Sequence, residues 1–174
     1  MNSSQKFNFK LAERFLENWA DPPEDPLGEL SDFEMGWRCF CFEHNHKVFI
    51  EIGDDQKEVF LDPDICMMIE SNFPKEIAKL SQGQKIVITF PESWFIITLL
   101  PTDDRISCTL TKFGVSGWEK VFEFDRTQVL DALRGFLQEV MQLAVDKGYI
   151  TLEEKEEFIR PAFAGSTDAA VLSK

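Results

Sequence analysis

Residues 118–148 read WEKVFEFDRTQVLDALRGFLQEVMQLAVDKG, and the hydrophobic period changes inside them. Trp118 to Phe124 is strand-like. After Asp125 the apolar residues Val129, Leu133, Phe136, Leu137, Val140, Met141 and Ala144 fall on one face of a helix that ends near Gly148. Asp125 with Gln128 has the spacing of a capping box, so the helix is expected over Arg126 to Lys147. A long helix with one apolar face needs a sheet to cover it, and the strand that feeds it is one member of that sheet.

Working toward the N-terminus, three more strand-like runs precede Trp118: Lys85 to Phe90, Trp94 to Leu100 and Arg105 to Phe113. Their links, Pro91-Glu92-Ser93, Pro101-Thr102-Asp103-Asp104 and Gly114-Val115-Ser116-Gly117, are short and rich in turn formers, which predicts antiparallel neighbours. Before them, Asp62-Pro63 is a helix-start signal, and Ile65, Ile69, Phe73, Ile77 and Leu80 keep a helical stripe interrupted by Pro74. A kinked helix or two short ones follow from that proline.

Between Phe33 and Asp62 the apolar residues alternate. Met35, Trp37, Cys39 and Cys41 share one parity, and Val48, Ile50 and Ile52 resume it beyond His44-Asn45, so a hairpin is expected in which Cys41 faces Val48, Cys39 faces Ile50 and Trp37 faces Ile52. Gly53-Asp54-Asp55-Gln56 turns the chain into a third strand carrying Val59 and Leu61. Phe40, Phe42 and Phe49 fall on the hairpin's other face, so both faces require cover, from helices, from the N-terminal segment or from another chain. At the N-terminus, Leu11, Phe15, Leu16 and Trp19 suggest a first helix from Lys10 to Trp19, followed by the stiff acidic connector Asp21-Pro22-Pro23-Glu24-Asp25-Pro26. At the other end, Thr151 and Glu154 start a short charged helix through about Phe158. The expected architecture is a single α+β domain over 1–160 with a tail over 161–174. A largely antiparallel sheet of about seven strands packs on the long C-terminal helix, and its core holds Trp37, Cys39, Ile50, Ile52, Val59, Leu61, Ile88, Leu133, Leu137 and Val140.

The 174 residues carry 18 Lys and Arg against 31 Asp and Glu, a net charge of -13, which opposes binding along nucleic acid or an anionic membrane. No apolar stretch reaches the length of a signal peptide or a membrane span, and four cysteines read as reduced thiols, so a cytoplasmic protein is expected.

The sharpest chemical cluster is Cys39, Cys41, His44 and His46, four competent zinc ligands in a C-x-C-x2-H-x-H run. On a strand, however, side chains two apart stand about 6.7 Å from each other, too far for one tetrahedral ion without a bend. A buried alternating face with two histidines at a turn explains the same residues without metal, and no cofactor is expected. Cys41 and His44 have opposite parity, which disfavours a nucleophile and base pair, and no nucleotide-binding, hydrolase or metalloprotease motif occurs.

The order of strand, Asp-started helix and strands, ending in Val121-Phe122-Glu123-Phe124-Asp125-Arg126-Thr127-Gln128-Val129-Leu130, resembles bacterial immunity proteins of the WapI type over about residues 58 to 140. The resemblance lies in arrangement and implies a small cytoplasmic protein that binds and neutralises a toxin; it carries over no contact residue. The expected function is therefore a non-enzymatic acidic module for a basic protein partner, met by the turn and connector residues Asp21, Glu24, Asp25, Asp54, Asp55, Asp103 and Asp104. The alternatives are an acidic chaperone-like homodimer, using the doubly apolar hairpin, and a metal-binding or enzymatic protein using the Cys39 to His46 segment.

Overall fold

The computed structural model of the chain describes residues 5–16 and 21–164. Among these residues seven strands and five α-helices form an α+β fold. All strand pairs are antiparallel, but the strands divide into two sheets. The first has the order β1 (Lys6–Arg14), β2 (His46–Gly53), β3 (Asp55–Phe60), and the second runs β4 (Ile86–Phe90), β5 (Phe95–Thr102), β6 (Arg105–Lys112), β7 (Glu119–Asp125). The helices are α1 (Asp32–Glu43), α2 (Cys66–Glu70), α3 (Phe73–Ser81), α4 (Arg126–Asp146) and α5 (Leu152–Phe163), with a π-helical turn at Leu61–Ile65 leading into α2.

The second sheet, the interrupted middle helix and the long helix lie where the periodicity puts them. Pro74 occupies the first turn of α3, where its missing donor costs nothing, and the break falls at Asn72, which adopts the left-handed conformation at φ 65°. Leu133, Leu137 and Val140 on α4 are fully buried. The capping box at its start does not form. The Asp125 carboxylate instead meets Arg105 at 2.6 Å, and the Gln128 amide donates to the Gln5 carbonyl.

The N-terminal half departs from expectation in two linked ways. Lys6–Arg14 is a strand and not part of a helix, and the remainder of the expected helix, through Trp19, reaches beyond the described residues. Residues 33–43 are a helix and not a strand. The partner of β2 is therefore β1: Leu11 faces Val48, Phe9 faces Ile50 and Phe7 faces Ile52, in place of Cys41, Cys39 and Trp37. The apolar column on β2 is as read, with Val59 opposite Val48, but the turn is tighter than expected: Asp55 and Gln56 already belong to β3, and Leu61 lies beyond it in the π-helical turn. Helix α1 begins with a capping box in which Ser31 Oγ accepts from the Glu34 amide and the Glu34 carboxylate accepts from the Ser31 amide. Its buried stripe is Trp37, Phe40 and Cys41, so Cys39 is only half-buried and leaves the expected core. The doubly apolar hairpin does not form, and the N-terminal segment, as β1, supplies the pairing on β2.

The core lies between the sheets and α4. Phe7 and Phe9 of β1 meet Phe124 at 5.4 Å and Phe136 at 5.5 Å. The tip of the β2–β3 hairpin abuts β7, where a Cβ on Gly53, at φ 61°, would collide with the Phe122 ring. Helix α5 packs on α3 and α4, and its chain continues past the expected tail boundary: Pro161 lies inside the helix, with Ala162 and Phe163 buried beyond it. Arg134 of α4, itself buried, donates to the Ala162 carbonyl at 2.7 Å and fastens that last turn.

Candidate functional site

Helix formation scatters the Cys39 to His46 run. Successive helical side chains are about 100° apart, so Cys39 and Cys41 point to different sides of α1. Cys41 is buried beside Cys66, and burial pushes its thiol well above the usual range. Cys39 lies nearer the surface, its thiol raised by burial and by the Glu43 carboxylate. His44, the residue that closes α1, stacks on Phe40 at 5.9 Å and meets Tyr149 edge-on at 5.4 Å. Burial, with Arg14 and Lys147 nearby, lowers its pKa. His46, on β2, points its Nδ1 at the Ala12 carbonyl at 2.8 Å and so donates there. The thiols are held toward the neutral form and His44 toward the neutral imidazole, the reverse of what a thiolate-imidazolium pair requires. Among the described residues no group of three or more His, Cys, Asp or Glu is arranged to hold a metal ion.

The seven acidic positions separate into two kinds. Asp21, Glu24, Asp54, Asp103 and Asp104 are exposed, and none has a cation within ion-pair distance among the described residues. Asp25 and Asp55 are half-buried and engaged within the structure. Asp25 accepts from the amides of Glu29 at 2.9 Å and Leu30 at 3.1 Å, closing the connector onto the approach to α1. Asp55 is bracketed by Lys57 and Lys120, each at 3.3 Å, and its side chain is only 12% exposed. Trp118 stands beside this pair with Lys57 and Lys112 against its ring, so the cluster joins the two sheets.

The second sheet supplies a surface that sequence inspection did not single out. Its inner face, carried by residues such as Ile88, Ile97, Cys108 and Phe122, is buried. Its outer face is open among the described residues, with Val87 48%, Leu100 45% and Val121 55% exposed. Register sets the outer side chains in rows across all four strands: Val87, Thr98, Thr109 and Val121 form one, and Thr89, Ile96, Thr111 and Glu119 the next. Leu100, Ser107 and Glu123 form a third. The signal was present as β-branched and apolar residues at the outward parity of four consecutive strands, in a chain that is 28% charged. At the β4–β5 turn Trp94 is 66% exposed and sits at φ 63°, a left-handed conformation rare for a bulky residue.

No family model, no curated protein and no solved structure matches the chain.

Proposed function

We propose that the chain is a non-enzymatic binding module for a basic protein partner, acting as an immunity protein acts when it neutralises a toxin. The observation that carries this reading is the set of exposed acids with no cation in ion-pair distance among the described residues: Asp54, Asp103 and Asp104 at two hairpin turns and Asp21 and Glu24 in the connector, within a net charge of -13. Such groups repel nucleic acid and anionic lipid and attract positive protein surfaces with fast, salt-sensitive encounter. The raised Cys39 thiol and lowered His44 disfavour nucleophilic catalysis by that segment. No described helix is long and apolar enough to cross a membrane, and all four cysteines are free, which fits residence in a reducing cytoplasm.

Affinity capture from the native cell, with the full chain as bait, tests the reading. A protein of positive net charge should be retained at low ionic strength and released as salt rises, and the Asp54→Lys/Asp104→Lys variant should retain less of it. Retention only of acidic or nucleic-acid partners contradicts the proposal, as does substrate turnover by the isolated chain that requires Cys39 or His44.

A further inference from the structure

We propose that the outer face of the four-stranded sheet is the docking surface, and that its occupant is an amphipathic segment of a basic protein: an apolar stripe laid over β4 and β5, with Lys or Arg residues on one flank set against β7. The inference rests on the reading of the chain as a binder of basic protein and deepens it by naming the surface and the partner's pattern.

The face is graded from one edge to the other. On β4 and β5 it offers Val87, Ile96 and Leu100; β6 offers the hydroxyls of Ser107, Thr109 and Thr111; β7 offers Glu119 and Glu123 on either side of Val121. Two cations also touch this surface, and neither alters the gradient. Arg105 is consumed by Asp125 at 2.6 Å, and Lys85 lies just before β4, at the edge opposite the glutamates. Glu119 and Glu123 have no cation within ion-pair distance among the described residues.

Four strands at about 4.8 Å spacing give a width of roughly 14 Å between the outer strand axes, enough to seat one helix of about 10–12 Å diameter lying along them. Four residues of strand place the two glutamates about 13 Å apart, close to the 10.5–12 Å rise of seven or eight helical residues. Cations two turns apart on the partner therefore meet both carboxylates. Exposed Trp94, at the end of the hairpin formed by the apolar strands, provides the aromatic anchor that such interfaces concentrate their energy upon. A second copy fits poorly. Stacked face to face about an axis along the strands, it sets Glu119 against Thr89 and brings only Glu123 to a cation, Lys85 at the edge, and about an axis across them it sets acids against acids.

The test uses the full ¹⁵N-labelled chain and an 18-residue helical peptide of Leu, Ala and Lys, with a leucine stripe and lysines seven residues apart on one flank. A control peptide carries Glu in place of Lys. The Lys peptide should shift amides centred on Val87, Ile96, Thr109 and Val121, and the Glu peptide should bind at least about tenfold more weakly. Trp94→Asn, which suits the left-handed backbone, and Glu119→Lys/Glu123→Lys should each weaken binding about tenfold or more while the remaining spectrum stays unchanged. Shifts confined to the connector or the β2–β3 turn would overturn this surface while leaving the broader reading standing. Absence of binding anywhere would overturn both. Equal binding of the two peptides would overturn the charge pattern, and sedimentation showing a dimer whose formation shifts these same amides would assign the face to a second copy.

Discussion

Asp64 is a carboxyl group in an unfavourable place. It lies in the π-helical turn, 4% exposed, with Oδ2 accepting from Ser93 Oγ at 2.9 Å and Oδ1 without a hydrogen-bond partner among the described residues. Burial, with a smaller push from the Glu92 carboxylate, raises its pKa above the ordinary value of 3.8, and the Ser93 hydroxyl and the Phe60 backbone offset only part of that. The sign follows from linkage. Below an unfolded-state pKa of about 3.9 the group is neutral in both states and costs nothing; as pH rises through the raised folded value the fold must hold a poorly solvated charge, and stability falls. Asp64→Asn should therefore stabilise the protein by about 1–2 kcal/mol at pH 7 and by almost nothing at pH 4, as read by urea denaturation across that range. Equal effects at both pH values would show that the carboxylate carries no such cost. The contact with Ser93 also ties this turn to the residue preceding Trp94, so the strain at φ 63° is held by a buried neighbour.

At the scale of elements, the junction between the two sheets separates adjacent aspartates. Asp55, gripped by Lys57 and Lys120, belongs to the join, whereas Asp54 projects from the same turn. Asp55→Lys should lower stability by about 1–3 kcal/mol through like-charge contact, while Asp54→Lys should stay within about 0.5 kcal/mol, both by chemical denaturation. Equal effects would dissolve the distinction. The same contrast shows what the sequence made legible. The four strands from Ile86 to Asp125 and helix α4 could be read because turns and apolar period agree locally. The exchange of strand and helix at the N-terminus could not be read from periodicity alone. Met35, Trp37, Cys39 and Cys41 satisfy a period of two, while Phe33, Trp37, Phe40 and Cys41 satisfy a helical one. The deciding local signal was Ser31 with Glu34, a capping box at the start of the run. Phe7, Phe9 and Leu11 alternate cleanly, yet their strand is stabilised by pairing with Ile52, Ile50 and Val48, contacts distant in sequence. Asn45 has the chemistry of a turn residue, yet it is 5% exposed, and its side-chain amide brackets the backbone of Asp62 through bonds of 2.9 and 3.3 Å.

For the whole molecule, the charge balance was legible from composition, but the distribution of work among the acids was not. Asp25 and Asp55 look like Asp54 and Asp104 in sequence, and only the fold brings amides or lysines to them. The open sheet face was hidden for a related reason: strand parity defines two faces, and which one the helices cover is a property of topology. In the proposed mode of binding the turn and connector acids guide a basic partner and the open sheet face seats it, so rate and lifetime of the complex report on different surfaces. The most direct measurement is the association rate constant of the captured basic partner across ionic strength, for the wild-type chain and for Asp54→Lys/Asp104→Lys. Raising salt from about 20 to 500 mM should slow wild-type association at least roughly tenfold while dissociation changes less than about threefold, and the variant should both associate more slowly at low salt and lose much of that dependence. An association rate indifferent to salt, or a variant indistinguishable from wild type, would contradict this mode of binding.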